Sequence, residues 1–195
     1  MKKFAAILLT LALLLSIGAA SADELTTIKV GATTSPHAEV LEYIKDDMAA
    51  LGYDLQIVEF TDYNLPNDAL VNGEIDANYF QHLPFLNAYN ATVPEDKQLV
   101  AAIPVHYEPY GIYAGKCKSL DELADGATGT ITNDPSNETR ALFLLKDAGL
   151  ITLPEDATVE GSSLTVLDIV DNPKHLNILE VEANTLPSTL DDADV

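Results

Sequence analysis

The run Asn133-Asp134-Pro135-Ser136-Asn137-Glu138-Thr139-Arg140 is the densest set of polar groups able to hold an anion. It follows a β-prone stretch, Thr128 to Thr132, and precedes a helical one, so it reads as a strand-to-helix turn. A helix start presents unpaired backbone N–H groups and the positive end of the helix dipole, which suit a carboxylate. Arg140 lies one turn in, and its planar guanidinium can grip both oxygens of a carboxylate. It is the single arginine of the chain. Position alone leaves two readings open: an anchor for a ligand carboxylate, or a surface ion pair with Glu138 or Asp134 contributing about 0–1 kcal/mol.

Two further clusters, Glu59-Phe60-Thr61-Asp62-Tyr63 and Asp76-Ala77-Asn78-Tyr79-Phe80-Gln81-His82, fall at the ends of expected strands, where open α/β sheets place their ligands. Tyr63, Phe80 and His82 together would form an aromatic slot with a polar tip, although each aromatic taken singly suits a core position equally well. The four histidines, His37, His82, His106 and His175, show no metal-ligand spacing within one element, and no metal or cofactor is expected. No Gly-x-Ser-x-Gly elbow, phosphate-binding loop or dinucleotide fingerprint occurs, so the motifs offer no support for an enzyme. Cys117, flanked by Lys116 and Lys118, is expected to have a lowered pKa, but it has no identified base beside it.

The elements needed to position these groups alternate between strand and helix, which predicts α/β layering. Thr27 to Val30, Leu55 to Phe60, Ile75 to Phe80, Leu99 to Val105, Gly111 to Ala114, Thr128 to Thr132 and Asn177 to Val181 read as strands or β-rich runs. Val40, Leu41, Ile44, Met48 and Leu51 share one helical face, with Ser35 as cap and Pro36 at the first helical position. Pro66 to Val71 reads as a short helix, Pro84 opens another, Glu138 to Ala148 forms a third, and one helical turn follows Pro187. Ser119 and Glu122 have the spacing of a capping box. The stretch His106 to Tyr110 reads as a crossover between two lobes, residues 27–108 and residues 109–195.

The chain has 31 acidic and 10 basic residues, a net charge of −21. Such a surface repels nucleic acid and anionic lipid, which excludes two classes of partner. The single cysteine has no partner for an internal disulfide. Residues 1–22 combine Lys2 and Lys3, an apolar run from Phe4 to Ile17, and Ala20-Ser21-Ala22, the order of a secretory signal peptide. An exported protein is therefore expected, cleaved near Asp23.

Several of these motifs, in this order, resemble the methionine-binding lipoproteins of the NlpA type. They are Val30-Gly31-Ala32-Thr33 with Pro36-His37-Ala38-Glu39, Val58 to Tyr63 with Pro66-Asn67, Gly73 to His82, and Asn133 to Asn137 with Arg140. The resemblance runs from about Lys29 to Asp194. It implies a type 2 periplasmic-binding-protein fold, two α/β lobes closing over a ligand, and delivery of L-methionine or a methionyl dipeptide to an ATP-driven permease. It also implies that Tyr63, Phe80 and His82 line the side-chain slot and that Asn137 and Arg140 hold the α-carboxylate. Three departures stand out. No cysteine marks the signal-peptide junction, so export without lipid is expected. Glu138-Thr139 places a negative charge beside the carboxylate seat. The chain ends before a family strand bearing an asparagine for the ligand's amino group, so the C-terminal part of lobe 1 is expected to be missing. The alternatives are a binding protein for another small amino acid or carboxylate, and an enzyme on the same fold.

Overall fold

A computed structural model describes residues 24–195. The expected signal peptide, residues 1–22, lies outside the described residues. Two parallel sheets organise the chain. The first has the order β2-β1-β3, built from β1 (Thr26–Thr33), β2 (Tyr53–Phe60) and β3 (Ala77–Tyr79). The second pairs β4 (Thr128–Thr132) with β5 (Asn177–Val181). Parallel pairing requires a crossover between strands, and the intervening helices supply it.

β1 is the central strand, and its second half, Val30 to Thr33, is buried. Gly31 sits where a Cβ would come within 2.6 Å of Ile75 Cδ1 and 2.9 Å of Phe60 Cε2, so its missing side chain lets both neighbours close over the strand. Val30, Ala32, Ala38, Leu41 and Leu55 form the core of this half. The helical stretch after β1 divides into α1 (Glu39–Tyr43) and α2 (Lys45–Ala50) at Ile44. Of the expected apolar face, Leu41 is buried, Ile44 and Met48 are half-buried, and Val40 and Leu51 remain exposed. Ser35 is extended and makes no cap, and the regular α-helix starts at Glu39. α3 (Leu65–Val71) and α4 (Leu83–Thr92) complete this half, each with proline in its first turn, where no N–H is needed.

The second half is built on α5 (Pro135–Asp147), whose Leu142 is fully buried against Ile131, Leu145, Ile151 and Leu176. α6 (Leu186–Thr189) makes the expected turn after β5. The last residues run back along β4: Asp194 N donates to Thr128 O at 2.7 Å, and Thr130 N donates to Val195 O at 3.1 Å.

Three expectations fail on physical grounds. Leu99 to Val105 and Gly111 to Ala114 form no strand, because no described strand lies alongside to take their hydrogen bonds. Val100, Ile103 and Tyr113 are exposed as a result. Ser119 and Glu122 form no capping box, since the Glu122 carboxylate instead accepts from Lys118 N at 3.0 Å. A capping box does form elsewhere in the second half, between Thr165 and Asp168.

Candidate functional site

β4 delivers the chain to Asn133, and Asp134 then caps α5. The Asp134 carboxylate accepts from Asn137 N at 3.0 Å and from Ser136 Oγ at 2.9 Å. The anion seat expected at this helix start is therefore filled by the chain's own aspartate. Asn137 continues the chain of contacts. Its Nδ2 donates to both Asp134 oxygens at 3.1 Å, and its Oδ1 accepts from Arg140 Nη1 at 3.0 Å. Arg140 Nη2 donates to the Glu108 backbone oxygen at 3.3 Å, and the guanidinium lies 4.8 Å from the centroid of the Tyr110 ring. Polar and π contacts thus fix its plane.

Arg140 makes no ion pair among the described residues, so the surface pair with Glu138 or Asp134 does not form. Glu138 lies two positions earlier, on another face of α5. It is 1% exposed, and its Oε1 accepts from Val166 N at 2.9 Å. Burial pushes its carboxyl up to about 7, the Glu180 and Asp134 carboxylates add to the rise, and the Val166 N–H opposes it. The expected negative charge beside the carboxylate seat is therefore turned inward and partly neutralised near pH 7. Thr139 is also buried. Its Oγ1 donates to Pro135 O and accepts from Leu164 N, both at 2.8 Å. Glu138 and Thr139 anchor the inner face of α5, and that anchoring sets the direction of Arg140.

The first sheet supplies the aromatic groups. Tyr63 follows β2, Phe80 follows β3, and His82 precedes α4. Tyr63 and Phe80 have ring centroids 5.9 Å apart, and Phe85 of α4 closes a triangle at 6.1 Å from Tyr63 and 5.7 Å from Phe80. His82 Nε2 is buried without a hydrogen-bond partner among the described residues. Burial lowers the His82 pKa, with the Arg140 charge as the next cause, so the ring is neutral at pH 7. Burial raises the Tyr63 pKa, with contributions from Glu108, Asp134 and Tyr110. These mutual influences tie the aromatic groups of the first half to the polar groups of the second.

A cleft of about 520 Å³ runs between the two halves, lined by Asp62, Tyr63, Phe85, Asp134, Ser136 and Glu182 among others. Phe80, His82, Asn137 and Arg140 do not form its wall but adjoin the residues that do. Asn184 Nδ2 donates across to Thr61 O at 2.7 Å, a direct contact between the halves. Phe85 and Tyr110 were not singled out by the sequence as members of the site, and Asp134 stood out only as part of the polar run and a possible partner of Arg140. Phe85 lies three residues beyond His82 and Tyr110 ends the crossover run, so both signals were present. Cys117 lies apart, and its thiol is pushed up rather than down. Partial desolvation comes first, followed by the Asp194 and Glu122 carboxylates, which outweigh Lys118.

Comparison with known proteins places this geometry. The NlpA lipoprotein family model matches residues 28–195. The chain is 44% identical over 171 residues to the D-methionine-binding lipoprotein MetQ of Escherichia coli (strain K12), covering 86% of this chain and 60% of that protein. It is 44% identical over 154 residues to the methionine-binding lipoprotein MetQ of Bacillus subtilis (strain 168), covering 79% of this chain and 55% of that one. The chain therefore spans 55% to 60% of the length of these two relatives. Among solved structures, a nutrient binding protein from Burkholderia cenocepacia bound to methionine superimposes with a TM-score of 0.79 at 42% identity, covering 86% of this chain and 69% of that one. These relatives are binding proteins by name, and the α/β fold with open parallel sheets is the one they share. The chain belongs to the NlpA lipoprotein family.

Proposed function

We propose that this chain is an extracytoplasmic solute-binding protein that captures L-methionine, or a methionine-containing dipeptide, and hands it to an ABC permease driven by its ATPase subunit. The observation that carries this reading is Arg140: the chain's single guanidinium, held by Asn137, Glu108 and Tyr110, with no carboxylate paired to it among the described residues. A ligand α-carboxylate is the natural partner for such a group. The acids at the cleft, Asp62, Asp68, Asp134 and Glu182, suit the ligand's ammonium. The Tyr63, Phe80 and Phe85 rings suit an unbranched thioether, a soft and adaptable apolar chain. The unpartnered His82 Nε2 can donate to the thioether sulfur, a weak acceptor.

On this reading Tyr63, Phe80 and His82 line the side-chain slot, Asn137 orients Arg140, and Arg140 holds the carboxylate. The lobes, residues 27–108 and residues 109–195, close over the ligand about the crossover at Glu108 and Pro109. The names of the MetQ relatives and the methionine-bound structural neighbour support the choice of ligand. The test is mass spectrometry of small molecules released from protein purified under native conditions. Methionine or a methionyl dipeptide is the expected release. Another amino acid would move the assignment to a retuned binding protein, and recovery of no carboxylate-bearing ligand, with no uptake from an amino-acid pool, would overturn it.

A further inference from the structure

Beyond the ligand cleft, the fold gathers two histidines and a glutamate that the sequence leaves far apart. His37 stands just after β1 and is buried, at 4% exposure, while His106 and Glu108 belong to the crossover segment. His106 Nε2 lies 2.7 Å from Glu108 Oε1, and His37 Nε2 lies 3.6 Å from the same oxygen. The three candidate ligand atoms are all within 4.8 Å of one another. We propose that His37, His106 and Glu108 form a divalent-metal site of the zinc type, with two imidazole nitrogens and one carboxylate oxygen as protein ligands and solvent in the remaining position.

The second layer of contacts argues for this assignment. A metal-bound imidazole must present one nitrogen to the ion and fix its tautomer with the other. Both rings are arranged in that way: His37 Nδ1 is hydrogen-bonded to Thr33 Oγ1 at 2.6 Å, and His106 Nδ1 to the Tyr79 hydroxyl. Both hydroxyls can accept from the ring N–H, so that each Nε2 lone pair can face an ion once the ion replaces the proton now shared between His106 Nε2 and Glu108 Oε1. Tyr79 also packs edge-on against both rings, at 4.9 Å from His37 and 5.5 Å from His106, which holds their planes. Zinc bonds of about 2.0–2.2 Å in a tetrahedron place ligand atoms about 3.3–3.6 Å apart. The His37–Glu108 spacing already fits. The His106–Glu108 contact must open by about 0.6 Å on that geometry, within reach of the half-exposed Glu108 side chain. Two neutral imidazoles with one carboxylate favour zinc over magnesium or calcium, which prefer all-oxygen shells. An ion there would tie the crossover to the end of β1, and the surrounding charge of −21 attracts cations to it.

The site does not depend on the nature of the cleft ligand, so its test needs none. Chelator-treated protein is titrated with Zn(II) by calorimetry in excess Mg(II), which occupies scattered surface carboxylates. In parallel, Co(II) is used as a spectroscopic substitute. The expected result is one tight Zn(II) per chain and the intense visible absorption of a low-coordinate Co(II) centre. His106→Gln and Glu108→Gln, at partly exposed positions that leave the core intact, should weaken binding at least about tenfold, and Tyr79→Phe should weaken it about tenfold through loss of the Nδ1 partner. No saturable binding would overturn the proposal. So would affinity unchanged in His106→Gln, or binding abolished only by His175→Gln, which would assign the ion to the exposed His175–Asp125 pair.

Discussion

Replacing Glu138 by glutamine removes one titrating group from the inner face of α5 while keeping the oxygen that accepts from Val166 N. In the folded chain the Glu138 carboxyl titrates near 7, against an ordinary value of 4.5. The folded state therefore holds this proton more tightly than the unfolded state. Below the unfolded value both states are protonated, and the group costs nothing. As pH rises from there, the unfolded chain releases the proton first and becomes favoured, and the loss is complete once pH passes the folded value. At about 1.4 kcal/mol per pH unit, the full penalty is on the order of 3 kcal/mol above pH 7. Urea unfolding followed by tyrosine fluorescence and far-UV circular dichroism, at pH 5, 6, 7 and 8, measures it. Subtracting the Glu138→Gln curve from that of the parent removes the other titrating groups. The difference should be near zero at low pH and should grow to favour Glu138→Gln by about 2–3 kcal/mol at pH 8. Parallel pH profiles, or a variant less stable than the parent at pH 8, would refute the inward, protonated placement of this side chain.

Thr139→Val keeps the shape of a fully buried side chain but strands Leu164 N without its acceptor, and should cost about 1–3 kcal/mol in the same unfolding assay. Gly115→Ala would drive a Cβ into the Ala193 carbonyl oxygen, so it should lower the thermal midpoint by several degrees and expose the C-terminal segment to proteolysis. Cys117 should react with a disulfide reagent at pH 8 more slowly than free cysteine, since its neighbours favour the thiol; faster reaction would contradict that placement.

The parts of the fold legible in the sequence are those fixed by local chemistry. β2, β4, β5, α3 and the turn after Pro187 lie within a residue or two of their expected places, because alternation, proline position and glycine stops are local signals. The single helix expected across Val40 to Leu51 divides at Ile44, where the backbone leaves helical values. The β-rich runs around 99–105 and 111–114 were misread because a strand exists only through its partners, and none lies beside them among the described residues. In the site, the proximity of Tyr63 and Phe80 is in keeping with residue type and spacing, whereas position alone leaves open whether Arg140 pairs with Glu138 or Asp134. The filling of the helix start by Asp134, and the inward turn of Glu138, depend on which face of α5 meets the core. The pairing of His37 with His106 depends wholly on tertiary contact.

The central claim is that Arg140 holds the carboxylate of a captured amino acid. Calorimetric titration of the chain with L-methionine, repeated with Arg140→Ala and with methioninol, which lacks the carboxylate, tests it most directly. Saturable one-to-one binding of L-methionine, lost by at least about a hundredfold in Arg140→Ala and absent for methioninol, is the predicted result, in keeping with the roughly 2–5 kcal/mol of a buried charge pair. Equal affinity for L-methionine in the parent and in Arg140→Ala, or no binding of methionine or its dipeptides, would contradict it.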